Sequence, residues 1–87
     1  MSYQSKYFNI DSFFDESLEK SGWTRGEFEL ALKKLENMNK KDLQQLCEKI
    51  GNINDKKFFE TENERALINY LIDDVDAKDL IRELGLS

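Results

Sequence analysis

Proline and histidine are missing from the 87 residues, glycine occurs only four times and cysteine once. Each scarcity removes a class of protein. Without histidine there is no Cys/His zinc site and no imidazole to act as a general base. A single cysteine forms no internal disulfide. The sequence holds no N-x-[ST] glycosylation acceptor. No apolar run approaches the ~18 residues of a membrane span, and the first residues lack the basic-then-apolar pattern of a signal peptide. These features predict a cytoplasmic protein with no membrane contact. Missing proline and sparse glycine favour helices joined by short connections.

What is present fits a small soluble domain. Charged residues make up 36% and the apolar class 39%, enough for a core and too apolar for a disordered chain. A chain of this length forms one domain, read here as residues 1–87 with 1–9 as a partly ordered arm. Such a domain buries only about 60–65% of its unfolded surface, which leaves little material for a deep, dry active site. Tyr3, Tyr7 and Phe8 make the arm apolar. They are expected to fold back onto the domain, with a docking arm as the alternative.

Apolar spacing and capping residues give five helices and no strand pattern, an all-α bundle with a death-fold-like arrangement as one form of it. Asp11 is expected to cap a first helix to about Ser21, closed by Gly22. In "GWTRGEF", Thr24 and Glu27 form a capping box, and Trp23 and Phe28 form a hydrophobic staple. The stripe Phe28, Ala31, Leu32, Leu35 and Met38 follows. Asn39 caps the next helix, whose stripe is Leu43, Leu46, Cys47 and Ile50, with Gly51 as its stop. The stretch "NINDKKFFE" is a connection expected to pack on the core through Ile53, Phe58 and Phe59, with room for one helical turn. Thr61 and Glu64 are expected to cap a helix to Asp73, broad in its apolar face. Asp76 caps the last helix, and Gly85 ends it.

Few residues here carry chemistry. Cys47 lies on an apolar stripe, in the later part of its helix and far from the end that favours a thiolate, so it reads as core. The run "DDVDAKD" fails the EF-hand pattern. Counted from Asp74, position 5 is Lys78 and position 6 is Asp79, where oxygen and glycine are needed. No phosphate-binding glycine loop or nucleophile elbow occurs. The reading is a non-enzymatic protein with no cofactor, no metal and no catalytic residues.

Charge is the remaining signal. The net charge of −5 divides as −3 over residues 1–32, +3 over 33–57 and −5 over 58–87. Opposed fields of this kind orient a protein partner or a second copy of the chain. The candidate contact residues are therefore Lys33, Lys34, Lys40, Lys41, Lys56 and Lys57 on the basic side. On the acidic side they are Asp73, Asp74, Asp76, Asp79 and Glu83. Nucleic-acid binding through the Lys33–Lys41 corner is an alternative. The acidic whole and the lack of arginine in that region argue against it. A further alternative is a small acidic inhibitor that occupies a nucleic-acid-binding site on another protein.

The second half, "KKDLQQLCEKIGN" followed by "FFETENERALINYLIDDVDAKDLIREL", resembles the bacterial effector-associated, death-like domains. The resemblance rests on Leu43, Leu46, Cys47, Gly51, Arg65, Ala66, Tyr70, Leu71, Leu80, Ile81 and Leu84, within residues 28–86. It implies a death-fold-like bundle that serves as a protein–protein adaptor or regulator and pairs like with like. A basic middle face meeting an acidic carboxy-terminal face would then give head-to-tail contacts, and so rings or filaments.

Overall fold

The computed structural model describes residues 3–86. Among them are seven α-helices, one 3₁₀ turn and no strand. The helices are α1 (Ile10–Phe13), α2 (Glu16–Lys20), α3 (Arg25–Glu36), α4 (Lys40–Ile50), α5 (Lys56–Thr61), α6 (Glu64–Asp73) and α7 (Ala77–Glu83); the 3₁₀ turn, Ile53–Asp55, runs straight into α5. Helix α6 packs against α3, α4 and α7, and its face is wide, with Leu67, Ile68, Tyr70, Leu71 and Ile72 all buried. The all-helical class expected from the sequence is what forms.

The capping logic explains the clearest boundaries. The Thr24 side chain accepts from the Glu27 amide, and Trp23 stands edge-on to Phe28, 6.2 Å between ring centres. Asn39 accepts from the Asp42 amide at the start of α4. Gly85 has φ 71°, and the Leu86 amide returns to the Ile81 carbonyl, closing α7 as a left-handed glycine cap does.

Three expectations need correction. The first helix is broken in two. Asn9 caps α1, and Asp11 lies inside that helix; Asp15, in extended conformation, then caps α2 by accepting from the Leu18 amide. The break has a packing reason. Neighbouring residues on one helix point about 100° apart. Splitting the helix lets both Phe13 and Phe14 reach Phe28, at 5.5 and 5.1 Å between ring centres. Next, the connection after Gly51 contains a helix of its own, α5. Thr61 belongs to it and donates to the Lys57 carbonyl, so the cap of α6 is Asn63, which accepts from the Ala66 amide. Finally, Ile53 is not packed. It is 84% exposed, whereas Phe59 is buried and Phe58 lies at the surface.

The arm folds back, and it does so onto a charge. Glu36, the last residue of α3, is only 5% exposed. Its carboxylate accepts from the Tyr3 hydroxyl at 2.6 Å, the Ser5 hydroxyl at 2.5 Å and the Lys6 amide at 2.8 Å. Two turns back on the same face of α3, Glu29 accepts from the Tyr3 amide at 2.9 Å. Burial and the Glu36 carboxylate push the Tyr3 hydroxyl up to about 12. Tyr3, Tyr7 and Phe8 all pack against the core.

Candidate interaction surface

Cys47 is fully buried on α4, and burial, with Glu48 adding to it, pushes its thiol up to about 12. It is therefore a protonated thiol in the apolar core rather than a thiolate at the surface. Among the described residues no group of three or more cysteines and carboxylates is arranged to hold a metal ion. In the Asp73–Asp79 run, Asp76 caps α7 through the Lys78 amide, and Asp79 pairs with Arg82 at 2.8 Å.

The charged residues singled out above divide into two groups. Some are used within the fold. Lys34 donates to the Leu84 carbonyl at 2.8 Å, and Glu83 pairs with Lys49 at 2.8 Å, so both tie α7 to the helices beside it. The others reach solvent. Lys33, Lys40, Lys41, Lys56, Lys57, Asp73 and Asp74 are exposed, and among the described residues their side chains make no hydrogen bond and no ion pair. Asp76 is exposed as well.

Several helix ends carry charge of the wrong sign. A helix favours acidic residues in its first turn and basic ones in its last, each by about 0.3–1 kcal/mol. Helix α2 follows this at both ends; α3 and α7 do so only in part, since α3 opens on Arg25 and ends on Glu36 and α7 ends on Glu83, and α5 opens on Lys56 and Lys57 with no acidic residue in its first turn. Helix α6 ends on Asp73 with Asp74 as its C-cap, and its last turn has no basic residue. The Asp73 carboxyl is raised by partial burial, then by Asp74 and by Asp15 nearby. Helix α4 opens on Lys40 and Lys41, offset only by Asp42 in the same turn.

Beside the acidic end of α6 stands the ridge formed by the 3₁₀ turn and α5. It is held firmly. The Tyr70 hydroxyl donates to the Asp55 carboxylate at 2.8 Å and accepts from the Asn52 amide at 3.0 Å. Phe58 and Phe59 pack on the Tyr70 ring at 5.7 and 5.0 Å between centres. Gln44 on α4 donates to the Phe59 carbonyl at 3.0 Å. Gly51 allows this closeness. Its φ of −86° suits any residue, but a Cβ there would lie 2.5 Å from the Cys47 carbonyl oxygen, 2.8 Å from Phe59 and 3.0 Å from Tyr70. The glycine is needed for space rather than for its backbone freedom.

The ridge has two flanks. One cleft, of about 200 Å³, is lined by Ile53, Lys56, Phe59 and Glu48. The other, of about 440 Å³, is lined by Phe58, Tyr70, Asn52, Asp55 and Asp74. An exposed isoleucine therefore sits with a lysine on one side, and a surface phenylalanine sits with two aspartates on the other. The charges in this arrangement were readable from the sequence. The exposure of Ile53 was not, because nothing in "NINDKKFFE" distinguishes an apolar residue that packs from one that projects.

Comparison of the chain with protein-family models, with curated proteins and with solved structures returns no match.

Proposed function

We infer that this protein is a non-enzymatic interaction module, an adaptor or regulator that meets a protein partner through its charged helix ends and the ridge between α4 and α6. The observation that carries this reading is the acidic end of α6. Asp73 and Asp74 oppose the helix dipole, crowd each other, and among the described residues have no basic residue in the same turn and no ion-pair partner. Residues that lower stability where they stand are the ones expected to serve a contact outside the fold. Phe58, which shares a cleft with Asp74, and the exposed Ile53 on the other flank of the ridge supply the apolar component that a charged surface alone lacks. Lys56 lies on the ridge, and Lys40, Lys41 and Lys57 are exposed at the starts of α4 and α5, where they would steer a partner of complementary charge.

Site-specific photo-crosslinking in cells that make the protein tests the reading. A photo-reactive residue at position 74 or 41 is expected to give one dominant adduct. The same residue at exposed Ser17 on α2 is expected to give only diffuse background. Equal, diffuse adducts at all three positions would contradict the reading.

A further inference from the structure

We propose that the cleft between Phe58 and Asp74 binds the guanidinium of an arginine side chain presented by the protein partner. The proposal rests on the interaction-module reading and adds the chemistry by which the partner is recognised. The cleft, of about 440 Å³, has two kinds of wall. One kind is aromatic. The Phe58 and Tyr70 rings lie 5.7 Å apart between centres, tilted by 39°. The other kind is acidic. Asp55 and Asp74 line the cleft with Asn52, and among the described residues no basic side chain does. The bonds of the fold leave acceptors free there. The Tyr70 hydroxyl is spent on the Asp55 carboxylate and the Asn52 amide, so what Tyr70 offers is its ring. That bond engages only Oδ2 of Asp55. Its Oδ1 and both carboxylate oxygens of Asp74 take no hydrogen bond and no ion pair among the described residues. The two carboxylates also act on one point. Burial raises the Tyr70 hydroxyl, and Asp55 and Asp74 each raise it further. A cation entering the cleft therefore meets two negative charges and two rings, whose faces attract cations.

Among cations, the guanidinium matches both kinds of wall. It is planar, stacks on aromatic faces and carries a fork of N–H donors that suits carboxylates. A lysine ammonium is a compact, strongly hydrated charge and gains less from the rings. A quaternary ammonium has no N–H to give the carboxylates. A metal ion would find two carboxylates only, and among the described residues no group of three or more potential ligands is arranged to hold one. The fold's own lysines do not fill the cleft. Lys56 lines the cleft on the other flank, and Lys57 lines neither. An arginine beside Asp74 would also supply the positive charge that the last turn of α6 lacks.

Titration of the whole protein with N-acetyl-arginine methylamide, followed by backbone amide NMR shifts, tests the proposal. The Asn52 and Asp74 amides are expected to shift and to saturate at millimolar probe. N-acetyl-citrulline methylamide, which keeps the shape and loses the charge, is expected to shift neither. The lysine analogue is expected to bind about threefold more weakly or worse. Asp74→Asn alters an exposed carboxylate without a partner, so it is expected to leave folding intact and to weaken binding about fivefold. Phe58→Leu keeps an apolar side chain and removes the ring, for an expected loss of about threefold. Ile53→Ala, on the other flank, is expected to bind the probe as the original does. The site is overturned by the absence of a saturating shift at Asn52 and Asp74, and equally by shifts of the same size with the citrulline probe. Unchanged affinity in both Asp74→Asn and Phe58→Leu overturns it too. No arginine binding beside one dominant protein adduct in the photo-crosslinking overturns the arginine and leaves the interaction-module reading standing. Saturable arginine binding beside diffuse adducts overturns a protein partner as its source.

Discussion

Gly51→Ala is expected to destabilise the protein by about 2–3 kcal/mol, the upper part of the range for forcing a methyl group into a filled site. For a domain of this size that is a fall in melting temperature on the order of 10–20 °C. The reason is steric. The new methyl would sit 2.5 Å from the Cys47 carbonyl oxygen, and backbone cannot move aside as a side-chain tip can. It would also press on Phe59 and Tyr70, the two rings that anchor the ridge. Two further signs separate this account from an ordinary loss of a helix stop. Gly51→Ala should fail although φ there is −86°, a value alanine adopts freely. Shrinking the opposing ring with Phe59→Leu should recover part of the loss in the double variant, since contacting residues are not additive. Urea unfolding of the two single variants and the double checks both points. A Gly51→Ala protein as stable as the original would contradict the packing described for the ridge.

Glu36→Ala is expected to cost about 2 kcal/mol and to release the arm. The carboxylate is the common acceptor for the Tyr3 hydroxyl, the Ser5 hydroxyl and the Lys6 amide, and hydrogen bonds to a charged group are worth about 1.5–3 kcal/mol each. The total stays well below the sum of three such bonds, because a freed arm regains water for its donors and conformational entropy for its backbone. The distinguishing readout is local. The Lys6 amide, bonded to Glu36 at 2.8 Å, should lose its hydrogen-exchange protection, while amides of α4 and α6 change only as far as global stability does. Ser5 provides an internal check. Its hydroxyl also accepts from the Tyr7 and Phe8 amides, so those two should open together with Lys6. Unchanged protection at Lys6 in Glu36→Ala would mean that aromatic packing alone holds the arm.

The comparison of sequence with structure follows the range over which each feature is determined. Caps within one helical turn were legible. Thr24, Asn39 and Asp76 each bond to amides two or three residues on, and their residue types announce it. The apolar stripes of α3, α4 and α6 were legible for the same reason, as was the core position of Cys47. The break between α1 and α2 was not. Asn9 and Asp15 cap two short pieces where one helix from Asp11 was expected, and the break between them accompanies the packing of Phe13 and Phe14 on Phe28, fourteen or more residues away. Helix α5 was hidden because six residues are too few to show a period. The burial of Glu36 had no local sign at all, since its three donors lie 30 to 33 residues earlier.

The candidate surface was legible in its charges and illegible in its geometry. The sequence supplied the lysines and aspartates but treated each sign as a block. In the folded chain the blocks are partly spent inside the molecule, as Lys34 on the Leu84 carbonyl and Lys49 on Glu83. What remains is sorted by position along helices. Asp73 and Asp74 matter because they fall at the end of α6, and a boundary set by the Asn63 cap and the Asp74 C-cap is a property of the fold.

The account stands on the claim that those two aspartates are kept at the expense of stability. Urea unfolding of Asp73→Lys/Asp74→Lys beside the original protein measures this directly. Neither carboxylate has a hydrogen-bond or ion-pair partner among the described residues, so the change removes no contact and turns an opposed helix end into a favourable one. The predicted result is a gain of about 1–2 kcal/mol, smaller at high salt. A variant that is less stable than the original would contradict the claim, because it would show the two aspartates serving the fold itself.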